Sequence, residues 1–241
     1  MTAFILQSSV RNRLLRVLSA GDFERILPNL VRCSFEQGEV LEKPGEPITT
    51  VCLPESGMFS VVARTVVGTQ AEAGIIGPEG MTGLALLHGV DRSPNLTVVQ
   101  IPCRALCIEA DAFRQAISGG RSLHDHLLRY AQVFTIQVAQ GSLCNSRFTI
   151  EERLSRWLLM CHDRADREDL PLTHELLSVM LGVRRAGVTT ALRVLENAGA
   201  LKTRRGGISI RDRSILLEIA GEAYGVPEAE YERVLGLPSQ A

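Results

Sequence analysis

Basic side chains are concentrated between residues 170 and 213. Eight cations face three anions in this segment, a net charge of +5, whereas the remainder of the 241-residue chain carries −6. Guanidinium and ammonium groups bind phosphate, and an arginine can also donate two hydrogen bonds to guanine. Because the acidic remainder would repel phosphate elsewhere, the asymmetry indicates a localised polyanion site. A solvated charged surface is the alternative that charge alone leaves open.

The elements that must position these cations are two short helices around Gly182. Thr173 is a suitable N-cap for a helix over residues 173–181, and Gly182 follows where a tight turn needs a residue tolerant of positive φ. A second helix is predicted over residues 184–197, with apolar residues at steps of four and three. This arrangement is a helix-turn-helix.

A basic hairpin is predicted directly after the second helix. The runs ALKTRR and ISIRD flank Gly206-Gly207, a dipeptide that favours a two-residue turn. The second helix would enter a major groove while the hairpin, or wing, would meet the phosphate backbone. The predicted DNA-binding residues are Thr173, Arg184, Arg185, Thr189, Thr190, Arg193, Lys202, Arg204 and Arg205.

The first half of the chain has a different pattern. Residues 9–30 predict two short helices, and residues 31–110 contain short β-rich runs separated by Gly and Pro, such as ITTVCLP, MFSVVART and LTVVQIP. Many short strands joined by turns favour an antiparallel barrel or sandwich.

A long helix is predicted from Ser122 to about Ser142, followed by an amphipathic helix over residues 149–163 that Thr149 could cap. The long helix carries an apolar seam at steps of four and three, which favours self-association; packing on its own β domain is the alternative. The predicted seam residues are Leu127, Ala131, Phe134 and Val138. The charged run over residues 163–169 is interpreted as a linker.

Several classes of protein find no support in the sequence. No run approaches the roughly 20 apolar residues of a membrane span. The N-terminus also lacks the succession of charged residues, apolar stretch and small cleavage residues that is typical of a signal peptide, so we expect a cytoplasmic protein. No paired carboxylates, nucleophile-base motif or phosphate loop indicates an enzyme.

The six scattered cysteines favour buried reduced thiols. Cys103 and Cys107 are the one close pair, and no second pair completes a metal site.

The stretch LLSVMLGVRRAGVTTALRVLENAGAL resembles the helix-turn-helix of the Crp/Fnr family of bacterial regulators, and EERLSRWLLM resembles the helix before it. The resemblance implies an α+β fold: an N-terminal antiparallel β-roll similar to cyclic-nucleotide-binding domains, a long dimerisation helix and a C-terminal winged helix-turn-helix. It places a sensor domain at residues 1–120, the dimerisation helix at 121–146 and the DNA-binding domain at 147–241.

The chain departs from the family pattern at the places that set specificity. Arg185 matches the first arginine of the usual recognition helix, but Ala186 and Thr190 replace the glutamate and the second arginine. The resemblance identifies Gly83, Leu84, Arg92 and Ser93 as candidate effector-pocket residues. Leu84 stands where cyclic-nucleotide binders have a ribose-binding glutamate, which argues against a cyclic nucleotide as effector.

Other effectors of the family find little support. The cysteine cluster of the iron-sulfur members is not present near the N-terminus, and haem through His88, His124 or His126 stays open. We predict no cofactor and no metal, and the effector is unknown.

The sequence therefore predicts a homodimeric transcription regulator that binds double-stranded DNA at a pseudo-palindromic site, and contacts RNA polymerase if it activates. A signalling module whose C-terminal lobe contacts protein is the competing hypothesis.

Overall fold

The N-terminal segment forms short helices, as its apolar periodicity predicts. In the computed structural model, which describes residues 5–165 and 167–236, α1 spans Arg13–Arg16 and α2 spans Ala20–Ile26. Asn12 and Ser19 cap them, each side chain accepting a hydrogen bond from a backbone N–H three residues later. Both helices pack on the β structure that follows.

Five antiparallel strands form the β-roll. They are β1 (Val31–Phe35), β2 (Val40–Glu42), β3 (Thr50–Arg64), β4 (Gln70–Ile76) and β5 (Leu96–Glu109), in the order β1-β5-β3-β4 with β2 also on β5. Runs predicted as separate strands merge into the long β3 and β5. Irregular pairing near Gly57, which has φ of +75°, lets β3 bend without ending.

Three helices follow the strands of the roll or interrupt them: α3 (Leu84–Leu87), α4 (Ala110–Ser118) and α5 (Arg121–Arg147). The predicted long helix is α5, with 27 residues. The predicted seam on it faces this chain's own roll: Leu127, Ala131 and Phe134 are at most 8% exposed, and Val138 packs against the same core. The assignment of Leu127, Ala131 and Phe134 to a dimer contact is therefore wrong, because their side chains are already covered, whereas Val138 is half-buried against the same core.

The C-terminal half is a winged helix-turn-helix. It comprises α6 (Ile150–His162), β6 (Asp169–Leu170), α7 (His174–Leu181), α8 (Arg185–Asn197), β7 (Leu201–Arg204), β8 (Gly207–Ile210), α9 (Arg213–Ala220) and α10 (Val226–Leu235). Thr149 caps α6 in a capping box with Glu152, as its position predicts. Strands β6, β8 and β7 form a three-stranded sheet.

The wing turn lies one residue earlier than the Gly-Gly pair predicts. Arg204 pairs with Gly207, so Arg205 and Gly206 form the turn, and Gly206 takes the positive φ of +78°. Gly207 instead begins β8, where an added Cβ would lie 3.0 Å from the Leu170 carbonyl oxygen. The second glycine is thus required for close strand approach and not for the turn.

Packing crosses the boundaries between the predicted domains. The core of the helix-turn-helix includes Met58, Val62, Ile75 and Ile101 of the roll, and α10 packs along α5 with Tyr231 against Tyr130. Because of this shared packing, the roll and the helix-turn-helix hold each other in one arrangement.

None of the helices in the described ranges is long and apolar enough to cross a membrane.

Candidate nucleic-acid interface

Helix α8 presents a basic outer face because most of its apolar residues point the other way. Val188, Ala191, Leu192 and Leu195 are buried. Arg184, at the N-cap, and Arg185 and Arg193 on the helix are exposed. Among residues 5–165 and 167–236, no carboxylate forms an ion pair with any of these three arginines. They are free to bind an external anion.

The two threonines predicted as DNA contacts are already engaged within the helix. The Thr189 hydroxyl lies 3.1 Å from the Arg185 carbonyl oxygen and 3.1 Å from His174 Nδ1, which ties α8 to α7. The Thr190 hydroxyl donates to the Ala186 carbonyl oxygen at 3.2 Å, although Thr190 itself is exposed. Thr190 can still accept a hydrogen bond from outside, whereas half-buried Thr189 is mainly a link between the two helices.

Thr173 and Gly182 set the geometry of the helix-turn-helix. Thr173 Oγ1 accepts a hydrogen bond from Leu176 N at 3.2 Å, so this predicted DNA contact is also the N-cap of α7. Gly182 ends α7 with φ of 63° and ψ of 34°, a left-handed conformation that glycine adopts readily. Both roles follow the sequence prediction.

The wing extends the basic surface beyond α8. Lys202, Arg204 and Arg205 are exposed, while the Thr203 hydroxyl donates to Glu196 at 2.9 Å and anchors β7 to α8. Only Arg204 has an acidic neighbour within the described ranges, with 3.6 Å between its Nη1 and Asp169 Oδ1. An exposed ion pair at that distance is weak and leaves the guanidinium available to phosphate.

The candidate effector residues do not converge on an anion site. The Gly83 N–H donates to Glu42 Oε1 at 2.6 Å, so a carboxylate of the protein occupies the start of α3. Glu42 is fixed there by Thr97, whose hydroxyl donates to the other carboxylate oxygen at 2.6 Å. Arg92 lies on the surface and donates to the Gly45 carbonyl oxygen at 3.1 Å.

Leu84 and Ser93 complete the predicted pocket set, and both are half-buried. The Ser93 hydroxyl accepts a hydrogen bond from the Asn95 backbone N–H at 3.1 Å, which is a local turn contact. Sequence reasoning did not single out Glu42, since nothing local indicates that it reaches Gly83.

The cysteines behave as core side chains. Cys52 and Cys107 pair across β3 and β5 with their sulfur atoms 3.4 Å apart, and all six thiols are free. Burial raises the pKa of Cys103 to about 12, and that of Cys33 to about 12 with a contribution from Cys107. Neutral thiols are poor nucleophiles and poor metal ligands. In the described ranges no three His, Cys, Asp or Glu side chains are grouped so as to hold a metal ion.

A second group of polar residues, which sequence reasoning missed, lies where the roll meets α6. Trp157 Nε1 donates to Glu72 Oε1 at 2.6 Å, and the Ser60 hydroxyl contacts the other oxygen at 2.5 Å. Desolvation raises the pKa of Glu72 to about 7 against the lowering effect of these hydrogen bonds. This titratable carboxyl thus joins a strand of the roll to the first helix of the DNA-binding half.

A buried ion pair makes a further connection between the same two parts. Arg164 and Glu79 are each 5% exposed, with 2.6 Å between Arg164 Nη2 and Glu79 Oε1. Arg164 belongs to the run interpreted as a polar linker loop and does lie in a turn, but its side chain is buried, and its guanidinium also donates to the Met160 carbonyl oxygen. Asp163 of the same run binds Arg213 and Tyr224. Asp166 lies outside the described residues.

The fold and the interface define a class of protein: a β-roll joined through a long helix to a DNA-binding winged helix-turn-helix. Comparison with known families agrees for both parts. The cyclic nucleotide-binding domain matches residues 32–119, and the Crp-like helix-turn-helix domain matches residues 152–219. Together they cover well over half of the chain. The chain belongs to the Crp/Fnr family of transcription regulators.

Solved structures share this architecture. A transcriptional regulator of the Crp/Fnr family from Eubacterium rectale superposes with a TM-score of 0.68 at 18% identity, covering 86% of this chain and 97% of that one. FixK2 from Bradyrhizobium japonicum gives 0.68 at 18% identity, covering 81% and 99%. The c-di-GMP-responsive regulator CLP from Xanthomonas campestris gives 0.63 at 17% identity, covering 80% and 100%. No curated protein matches the sequence.

Proposed function

We propose that this protein regulates transcription as a homodimer that binds a pseudo-palindromic site in double-stranded DNA. Each α8 would enter a major groove, and the two half-sites would lie about 34 Å apart, one turn of the duplex. The observation that carries the proposal is the row of exposed, unpaired arginines on α8 beside an exposed basic wing. RNA polymerase becomes a further partner if the protein activates.

Arg185 is the residue best suited to read a base. It is exposed in the first turn of α8, and its fork can donate two hydrogen bonds to guanine. We expect Arg185→Ala to weaken binding to the preferred site by roughly 1 to 3 kcal/mol, the range of one bidentate base contact. Fluorescence anisotropy on a site obtained by in vitro selection measures this loss.

The matched control for that measurement is Arg121→Ala, which removes an exposed arginine at the start of α5. Equal affinities for the Arg185 variant and the wild type on the selected site would eliminate base reading by this residue. The same assay separates DNA binding from a purely protein-binding lobe, because only the former must weaken steeply with salt.

Lys202 is assigned to the phosphate backbone. It lies exposed on β7, opposite Ser209, and in the described ranges has no carboxylate partner. Lys202→Ala should weaken binding to all sequences alike and reduce the slope of log affinity against log salt by about 0.9, the value for one phosphate contact. An unchanged slope would remove the wing lysine from the contact surface.

The second copy would pair along the outer face of α5, not along the seam predicted from the sequence. Leu128, Gln132, Ile136, Ala139 and Leu143 recur at steps of three and four on this face. Leu128 and Ile136 are half-buried, and Leu143 is 47% exposed. A helix of 27 residues is about 40 Å long, enough for a two-stranded contact.

Leu143→Arg should shift the protein from dimer to monomer in analytical ultracentrifugation, since it places a charge in that contact. Leu217→Arg is the control, because Leu217 is similarly exposed, at 41%, but lies on α9. If the Leu143→Arg variant remains dimeric, the contact between the two copies lies elsewhere.

We also infer that a cyclic nucleotide is not the effector. Glu42 presents a carboxylate at the Gly83 N–H, so it would repel a phosphate there. Calorimetric titration with cyclic AMP and cyclic GMP should give no heat of binding. Saturable binding that Arg92→Ala removes would overturn this inference.

A further inference from the structure

A small cavity lies at the junction of the roll and the DNA-binding half. Its wall is formed by β4, α5, α6 and α7, and its volume is about 30 Å³. That is room for one or two water-sized groups. We refer to it as the junction cavity; the residues that matter are Glu72, Gln137, Arg153 and Arg156.

Two hydrogen-bond donors in its wall have no acceptor. Gln137 is 1% exposed, and its Oε1 accepts from Ile75 N at 2.7 Å, which fixes the amide and leaves Nε2 without a partner. Arg153 donates through Nη2 to the Leu181 carbonyl oxygen, but its buried Nε–H has no acceptor. Buried donors are rarely left unpaired in folded proteins, so the pair of them indicates a missing acceptor.

The wall also carries unbalanced positive charge. Arg156 is 9% exposed and forms no ion pair with any described residue. The one carboxyl in the wall is Glu72, whose oxygens are occupied by Ser60 and Trp157. Burial also raises the pKa of Cys144, so this neighbouring thiol adds no negative charge at neutral pH.

We propose that the junction cavity binds a small monovalent anion, a halide or a planar oxyanion of the size of nitrite or nitrate. Such a ligand accepts hydrogen bonds from several directions and donates none, which matches Gln137 Nε2, Arg153 Nε and Arg156. With room for only one or two water-sized groups, and with the carboxyl of Glu72 in the wall to repel a doubly charged ion more strongly than a singly charged one, the cavity disfavours a tetrahedral divalent anion.

The bound anion would join the two halves of the protein. Gln137 lies on α5, whereas Arg153 and Arg156 lie on α6, the helix that leads into the helix-turn-helix. An anion between them stabilises the arrangement in which α6 is seated on the roll. The expectation that the bound anion changes DNA affinity rests on the proposed function. The binding of the anion to the cavity does not.

Thermal unfolding in a chloride-free gluconate buffer at constant ionic strength tests the site. Chloride, bromide, nitrite and nitrate should each be titrated, with sulfate as the oversized anion. We expect a saturable rise in Tm with at least one monovalent anion and none with sulfate. Gln137→Leu and Arg156→Met should each weaken the apparent affinity at least tenfold. Gln115→Leu, at an exposed position of α4, and Arg147→Met, at an exposed position of α5, are the matched controls.

Two further measurements keep the proposal open to refutation if those variants fold poorly. Gln137→Glu retains an oxygen for Ile75 N but loses the amide donor, so it should also abolish the saturable response. Crystals of the wild-type protein grown in bromide should show an anomalous peak in the junction cavity. The proposed site would be overturned by a Tm rise that is largest for sulfate or equal in all variants. Bromide crystals with an empty junction cavity would also overturn it. A saturable response in a protein that binds no DNA would overturn only the proposed function.

Discussion

Replacing Glu72 with glutamine should remove a pH-dependent loss of stability. The pKa of this carboxyl is about 7 in the folded protein, whereas 4.5 is its ordinary value. A raised pKa stabilises the folded chain fully below pH 4.5, and that contribution is lost as pH rises through 7. Each tenfold difference in proton affinity corresponds to about 1.4 kcal/mol, so the loss amounts to about 3 kcal/mol by pH 8.

Glutamine at position 72 reproduces the protonated carboxyl. Its oxygen can accept from Trp157 and its amide can donate to Ser60. We therefore expect Glu72→Gln and the wild type to have similar free energies of unfolding near pH 4.5. At pH 8 the variant should be more stable by about 3 kcal/mol, because it never ionises.

Urea unfolding at fixed pH values from 4.5 to 8.5, in gluconate buffer, provides the measurement. Trp157 is the only tryptophan and contacts Glu72, so its fluorescence reports on the junction, while circular dichroism reports on the whole fold. Glu218→Gln, at an exposed position of α9, controls for the loss of one negative charge. If the free energies of unfolding of the wild type and Glu72→Gln followed parallel curves against pH, the Glu72 carboxyl would not be desolvated. The predicted rise in its pKa would then be wrong.

Three other substitutions test local features. Arg164→Met should destabilise the protein by about 3 to 5 kcal/mol in chemical unfolding, because it leaves Glu79 buried without its partner; a cost below 1 kcal/mol would indicate that water reaches this carboxylate. Gly182→Ala should cost about 1 to 2 kcal/mol through its positive φ alone, since the added Cβ meets only Ala71 at 3.8 Å; an unchanged Tm would contradict the left-handed turn. Thr149→Ala should lower stability by about 1 kcal/mol by removing the cap of α6, and Thr149→Ser should restore most of it.

Local patterns predicted the DNA-binding half well. The helices around Gly182, the caps Thr149 and Thr173, and a basic hairpin after α8 all depend on residues within a few positions of one another. Even there, the hairpin turn is at Arg205-Gly206 and not at the predicted Gly206-Gly207, because Arg204 pairs with Gly207 and so places Gly207 in the strand.

The errors arise where a pattern has two readings or where partners are distant in sequence. An apolar seam on α5 indicates that one face is covered but not by what, and here the cover is the chain's own roll. Glu72 and Trp157 are 85 positions apart, as are Glu79 and Arg164, so no local spacing could pair them. Helices α9 and α10 were not predicted at all, although Pro227 at the start of α10 and Gly236 after it are ordinary boundary signals.

The seating of α10 on α5 constrains how a regulatory motion could occur. Besides the junction contacts of Glu72 with Trp157 and of Glu79 with Arg164, the helix-turn-helix is attached to the roll through the peptide chain after α5 and through α10, whose Tyr231 ring lies 6.3 Å from that of Tyr130. A rotation of the recognition helix about the peptide chain after α5 alone would pull α10 away from its aromatic contact. The DNA-binding half must therefore either swing together with α5 or release α10 first, and the second route exposes two buried tyrosine rings to water at a cost that the activating signal has to supply.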